Sequence, residues 1–189
     1  NAAMIKESDG IEPLVALLSI GNPEAKERAA LTLGHLALRA EAAIKITMAG
    51  AVTAFVKWLV DPSLGPPEVA ARALSDIALG NQDTQTHIAE EGAIPPLVTM
   101  VGASSSPALL SALEPPTSPG AAIPQPGATA AAVKAIAAAL KVANVAAGAL
   151  ATLAKDNIVN EIMITEEGGI PPLVELLKAK TLAHTSGSY

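Results

Sequence analysis

The chain has no cysteine, three aromatic residues and few charges, and each shortage removes a class of protein. Without cysteine there are no disulfides and no thiolate metal sites, which fits a reducing, intracellular and cytoplasmic setting, with attachment to an organelle or membrane surface left open. Phe55, Trp58 and Tyr189 are the whole aromatic set, and no basic stripe accompanies them, so nucleic acid is not an expected partner. Charged residues make up 16% of the 189 positions, 18 acidic against 12 basic, for a net charge of −6. The three histidines, His35, His87 and His184, stand far apart, and HExxH, GxxxxGK[ST] and GxSxG strings are all missing. No metal, no cofactor and no catalytic residue is therefore expected. No signal peptide and no initiator Met open the chain, so Asn1 reads as a processed or truncated start.

What the chain does have is aliphatic: 50% of its residues are apolar, supplied by Ala, Leu, Ile and Val, and the mean hydropathy is +0.41. Gly92 to Leu113 carries no charge, but Pro95, Pro96 and Pro107 break it as a span. Val142 to Ala154 is also uncharged, and its thirteen residues fall short of a bilayer, so no transmembrane segment is expected.

The apolar residues recur. GIEPLVALL, GAVTAFVKWL, GAIPPLVTMV and GGIPPLVELL align on Ile11, Val52, Ile94 and Ile170. Six residues before these anchors stand Ile5, Ile46, Ile88 and Ile164. Three and four after them come Leu14-Val15, Phe55-Val56, Leu97-Val98 and Leu173-Val174. Six and seven after come Leu17-Leu18, Trp58-Leu59, Met100-Val101 and Leu176-Leu177. Apolar residues at 0, 3, 4 and 7 form one stripe of an α-helix, so each copy predicts a helix with one buried face. Trp58 falls in that stripe and reads as core.

A third, Ala-rich phrase follows: AALTLGHLA at 29–37, AARALSDIA at 70–78 and AAGALATLA at 146–154, centred on Leu33, Leu74 and Leu150. The period is 41 to 42 residues, interrupted by 34 extra residues between the second and third helices of the third unit. Gly10, Gly50, Gly92 and Gly168 end a short first helix, where a positive φ is wanted. Pro13, Pro95-Pro96 and Pro171-Pro172 open the second helix, while Pro23-Glu24 and Pro67-Glu68 open the third. The paired acids Glu90-Glu91 and Glu166-Glu167 recur at the repeat period and mark a solvated junction rather than acid/base chemistry.

These phrases, above all IAEEGAIPPLV at 88–98 and ITEEGGIPPLV at 164–174, resemble the armadillo family of β-catenin, importin-α and the vacuolar armadillo scaffolds. The resemblance implies an all-α, right-handed α-solenoid of three-helix armadillo repeats with a Pro/Ala-rich insertion in the third. As one domain over 1–189, it divides into repeats at 1–40, 41–80 and 81–156 (insertion 103–131), a partial repeat at 157–182 and a tail at 183–189. Six prolines in the insertion favour extended backbone, and its Leu109, Leu110, Leu113 and Ile123 suggest that part of it docks on a neighbouring surface. Terminal repeats need polar caps, and none is evident after Leu177. Either a longer chain or another subunit should cover that end, and the 189-residue piece alone should self-associate.

The resemblance also implies that peptides bind the concave face lined by the third helices. In importin-α-like proteins that face carries an Asn ladder with Trp one turn earlier. The positions matching the Asn are His35, Asp76 and Thr152, and those matching the Trp are Leu31, Arg72 and Gly148, so neither ladder is present. Candidate groove residues are Arg28, His35, Arg72, Asp76 and Thr152. The expected function is a non-catalytic scaffold or adaptor that binds other proteins, within a larger complex or through neighbouring repeats. The alternatives are a nuclear-transport receptor-like peptide binder and the substrate-binding part of a larger ubiquitin-ligase-type protein.

Overall fold

The computed structural model describes residues 10–104 and 126–185. Ile5 and the first short helix, the insertion residues 105–125 and the end of the tail lie outside the described residues. Ten helices run in order, and no strand occurs among the described residues: α1 (Ile11–Ile20), α2 (Pro23–Ala37), α3 (Ala40–Met48), α4 (Ala51–Val60), α5 (Pro67–Ala78), α6 (Gln82–Glu90), α7 (Ile94–Ser104), α8 (Pro126–Ala154), α9 (Ile158–Glu166) and α10 (Ile170–Thr185). Thus α3–α5 and α6–α8 are complete three-helix units, α1 and α2 are the second and third helices of the first, and α9 and α10 the first and second of the fourth.

Local chemistry sets the boundaries. Pro23 and Pro67 occupy the first turns of α2 and α5, where a missing N–H goes unnoticed because no carbonyl waits for it. Asn22, Asn81 and Asn157 cap α2, α6 and α9 by accepting from the backbone N–H of Ala25, Thr84 and Asn160 at 2.8, 3.0 and 3.2 Å. Gly50, Gly92 and Gly168 take φ of 84°, 87° and 70° at the turn between first and second helices, as the repeat predicts. Gly10 does not: its φ is −97°, so its presence at that turn is not explained by a left-handed backbone. Asp156 follows α8 with φ 58°, at the repeat position of Gly80, whose φ is 72°. Aspartate is among the few non-glycine residues that tolerate this region.

The units stack helix on like helix. Second helices pack in the row α1–α4–α7–α10, and third helices in the row α2–α5–α8. Between the rows lies one continuous core: Val52, Phe55, Ile46, Leu33, Leu74, Ile88, Ile94, Leu97, Leu150 and Leu153 are all buried. Trp58 is buried with them and meets Phe55 edge to face at 5.8 Å between centroids. The recurring apolar positions are therefore the glue between layers. At about 0.8 kcal/mol per buried methylene, each fully covered Leu or Ile contributes on the order of 2–3 kcal/mol before its entropy cost.

A polar seam supplements this core between α6, α8 and α9. The Asn160 amide donates to Gln85 O at 3.1 Å and Leu153 O at 2.9 Å, and Asn157 Nδ2 donates to Thr86 Oγ1 at 3.1 Å. Gln82 Nε2 donates to Asp156 O across the same joint. The buried seam supplies a donor to Leu153 O in the last turn of α8, where helix carbonyls lack partners, and a second one to Gln85 O inside α6.

Two expectations need correction here. The helix α8 already begins at Pro126, so residues 126–131, set with the insertion in the sequence reading, are helical. A proline at the first helical position starts a helix rather than breaking it. Likewise, the uncharged run Val142–Ala154 underestimates the apolar helix. Lys134–Ala154, 21 residues with mean hydropathy 1.7, is long and apolar enough to cross a membrane, because Lys141 does not interrupt it. In this fold Ala143, Ala146, Ala149, Leu150 and Leu153 are buried against the neighbouring units, as befits a third core helix.

Candidate peptide-binding groove

The row α2–α5–α8 presents one face to its own core and the other outward, and the outward face carries the candidate groove residues. On α2 the exposed positions are Arg28, Leu31 and His35; on α5 they are Arg72 and the half-buried Asp76; on α8 they are Gly148 and the half-buried Thr152. One helical turn separates Leu31 from His35, Arg72 from Asp76 and Gly148 from Thr152, which puts each pair on one stripe.

Where α2 meets α5 the surface opens into a cleft of about 190 Å³. Ala30, Gly34 and Ala73 form its floor, Leu31 and Val69 its apolar walls, and His35, Arg72 and Asp76 its polar rim. The floor is low because its side chains are small. A Cβ on Gly34 would stand 3.2 Å from Asp76 Oδ2, so glycine at this position lets the carboxylate approach α2. Arg72 Nε lies 3.3 Å from both Asp76 oxygens, which fixes the rim as a hydrogen-bonded ion pair. Farther along, Thr152 Oγ1 donates to Gly148 O at 3.1 Å, which leaves it to accept from Ser75 Oγ at 2.9 Å. That hydroxyl pair joins the third helices of adjacent units.

The structure thus gathers His35, Arg72 and Asp76 at one cleft and places Thr152 on the same face one unit on. Arg28 stands outside the cleft lining. Its guanidinium is 3.8 Å from Glu24 with both side chains largely in water, an arrangement that contributes little. Sequence reasoning missed Ala30, Gly34, Ala73 and Ser75. The first three were visible as the Ala/Gly content of the third helices, which reads equally well as close core packing. Glu91, of the recurring acid pairs, accepts from the Thr53 hydroxyl at 2.8 Å, a structural contact between units. Among the described residues no three of His, Asp and Glu cluster as a metal site would need.

The model for the armadillo/β-catenin-like repeat matches residues 1–38. No curated protein matches the chain. Among solved structures, an engineered protein from the Northeast Structural Genomics Consortium is 26% identical, with a TM-score of 0.50 over 89% of this chain and 72% of its own. A second engineered protein from the same consortium is 26% identical at TM-score 0.50, over 90% and 74%. A designed armadillo repeat protein in complex with the peptide (KR)4 is 23% identical at TM-score 0.48, over 87% and 73%. The class defined by the three-helix units, their stacked rows and the repeat match is the α-solenoid of armadillo repeats. The chain has the fold of an armadillo-repeat solenoid, and its first 38 residues match that family's repeat.

Proposed function

We propose that the chain is a non-catalytic, cytoplasmic scaffold that holds an extended segment of another protein along the face of α2, α5 and α8. An armadillo solenoid is a protein-binding fold in general terms, and the α2–α5 cleft is the observation that carries the finer reading. At about 190 Å³ it lies below the ~300–1,000 Å³ of ordinary small-molecule sites, and it suits one apolar side chain of a bound peptide. Leu31 and Val69 would cover that side chain while the Arg72–Asp76 pair binds peptide backbone at the rim. Specificity would come from these few polar groups and affinity from apolar burial.

Selection of peptides from a displayed library against the chain, followed by NMR shift mapping, tests the proposal. Selected peptides should shift amides of α2, α5 and α8, and Leu31→Glu should weaken them by at least about tenfold, the worth of one buried apolar contact. Binders indifferent to Leu31→Glu, with shifts elsewhere, would remove the groove from the account. The nuclear-transport reading is separated by titrating a basic octapeptide. With His35, Asp76 and Thr152 where side-chain amides would be needed, saturation below roughly 100 μM is not expected.

A further inference from the structure

A second cavity, of about 150 Å³, opens at the edge of the stack where α1 and α4 end and α2 begins. Leu18, Ala54, Trp58 and Leu64 give it an apolar surface, and Lys26 and Lys57 bring two ammonium groups to it. Leu18 and Trp58 are buried, Lys26 is half-buried and Lys57 is exposed, so the carbon surface lies deepest and the charge at the mouth. No lining residue is acidic. Neither lysine has an ion pair among the described residues. Lys26 Nζ donates to Leu64 O at 3.2 Å, and two of its three donors remain. The carboxylate one turn after Lys57, on Asp61, is engaged by Ser63 Oγ and N at 2.6 and 2.9 Å. The repeat does not call for this arrangement. Where Lys57-Trp58 stands, the other second helices carry Ala16-Leu17, Thr99-Met100 and Glu175-Leu176; where Lys26 stands, the other third helices carry Pro67 and Ala143. Gly65 completes the site: a Cβ there would enter the indole, so glycine lets the loop before α5 lie on the ring and carry Leu64 O to Lys26.

Charge, surface and size together narrow the occupant. Two ammonium groups without a counter-charge, on a chain of net charge −6, call for an anion. A phosphate or sulfate would turn oxygens toward carbon that cannot donate to them. An acyl chain or a nucleotide exceeds the volume, which is below the ~300–1,000 Å³ of ordinary small-molecule sites. An aspartate or glutamate within a chain brings charge without an aliphatic group of its own. The last residue of a chain carries both on a single Cα. We propose that this cavity captures the C-terminal residue of another protein, with an aliphatic side chain against Leu18, Ala54 and Trp58 and the terminal carboxylate between Lys26 and Lys57. Terminal carboxylates are commonly held by backbone N–H nests, and here the two lysines take that part. The cavity shares no lining residue with the α2–α5 cleft, so the proposal stands whether or not that cleft binds.

Trp58 is the only tryptophan, so its emission reports on the cavity directly. Titration of the 189-residue chain with three tryptophan-free octapeptides provides the test. One ends in leucine with a free carboxylate and one in leucine amide. The third ends in leucine amide after a glutamate, which restores the charge one residue away. The free acid should change Trp58 emission saturably and bind at least about tenfold tighter than either amide, the worth of a charge-assisted contact. Lys57→Gln should weaken the free acid by at least about fivefold and leave both amides unaffected. Lys57 is exposed, so far-UV circular dichroism should be unchanged in that variant. Ala54→Leu, which fills the cavity, should weaken the free acid by at least about tenfold. Equal binding of the free acid and the glutamate-bearing amide, or indifference of the free acid to Lys57→Gln, overturns the proposal. So does an equal emission change with inorganic phosphate.

Discussion

Ile94 and Ile170 are the same residue at the same repeat position, one between layers and one at the outer face, with exposures of 0% and 50%. Replacing each by alanine removes three carbons. For Ile94 the lost transfer energy is about 2.4 kcal/mol at ~0.8 per methylene, and a cavity adds about 1 kcal/mol more, since Ile94 is fully buried in the continuous core. The sum is about 3–4 kcal/mol. For Ile170 half the surface already faces water and no closed cavity can form, so the loss is about 1 kcal/mol. Urea unfolding followed by far-UV circular dichroism reads both, with the slope of the transition checked because repeat arrays can lose cooperativity. The expected difference is at least about 2 kcal/mol. If Ile170→Ala costs as much as Ile94→Ala, the outer face is not open, and the layer-by-layer reading of the core fails with it.

Other consequences are local. Asn160→Ala removes the side-chain donor to Leu153 O, and the second donor to Gln85 O, at a buried joint and should cost about 1–3 kcal/mol in the same unfolding assay; a change below about 0.5 would mean the seam is ornamental. Asp156→Gly relieves a left-handed backbone and should be neutral to stabilising by up to about 1 kcal/mol, whereas Asp156→Val should be clearly destabilising. Gly65→Ala drives a Cβ into the Trp58 ring, so the loop before α5 must move and the tryptophan emission should shift to the red; an unchanged spectrum would show that the loop yields freely. Hydrogen bonds from the Ser63 hydroxyl and backbone hold the Asp61 carboxyl below its ordinary 3.8. A depressed carboxylate stabilises the fold above its unfolded pKa and loses that contribution as pH falls through the folded value. NMR titration should show Asp61 moving back up toward 3.8 in Ser63→Ala, and no movement would remove the hydroxyl as the cause.

Much of the fold was legible because the repeat wrote each core position several times. Val52 and Ile94, Leu33 and Leu74, and the turn glycines 50, 92 and 168 all stand where the alignment puts them. What escaped was whatever depends on neighbours in space. Ile170 reads like Ile94, yet burial belongs to the layer that follows, which a single phrase does not contain. Pro126 counts as a breaker in composition and as a starter at a helix N-terminus, and only its position decides. The candidate groove shows the same division. His35, Arg72, Asp76 and Thr152 follow from the resemblance to the armadillo family, but the cleft itself exists because Gly34 and Ala73 are small where two helices meet. The seam of Asn157 and Asn160 went unread for a related reason: asparagine is as ordinary at a cap as in a loop, and the carbonyls it satisfies come from another unit.

Native-state hydrogen exchange, resolved by amide, tests most directly whether successive layers hold one another. Protection should peak in α5, which is flanked by α2 and α8, and decline through α9 to α10 by orders of magnitude, since opening free energies scale with the layers that must part. Amides of α10 exchanging as slowly as those of α5 would show a single cooperative globule instead of a stack.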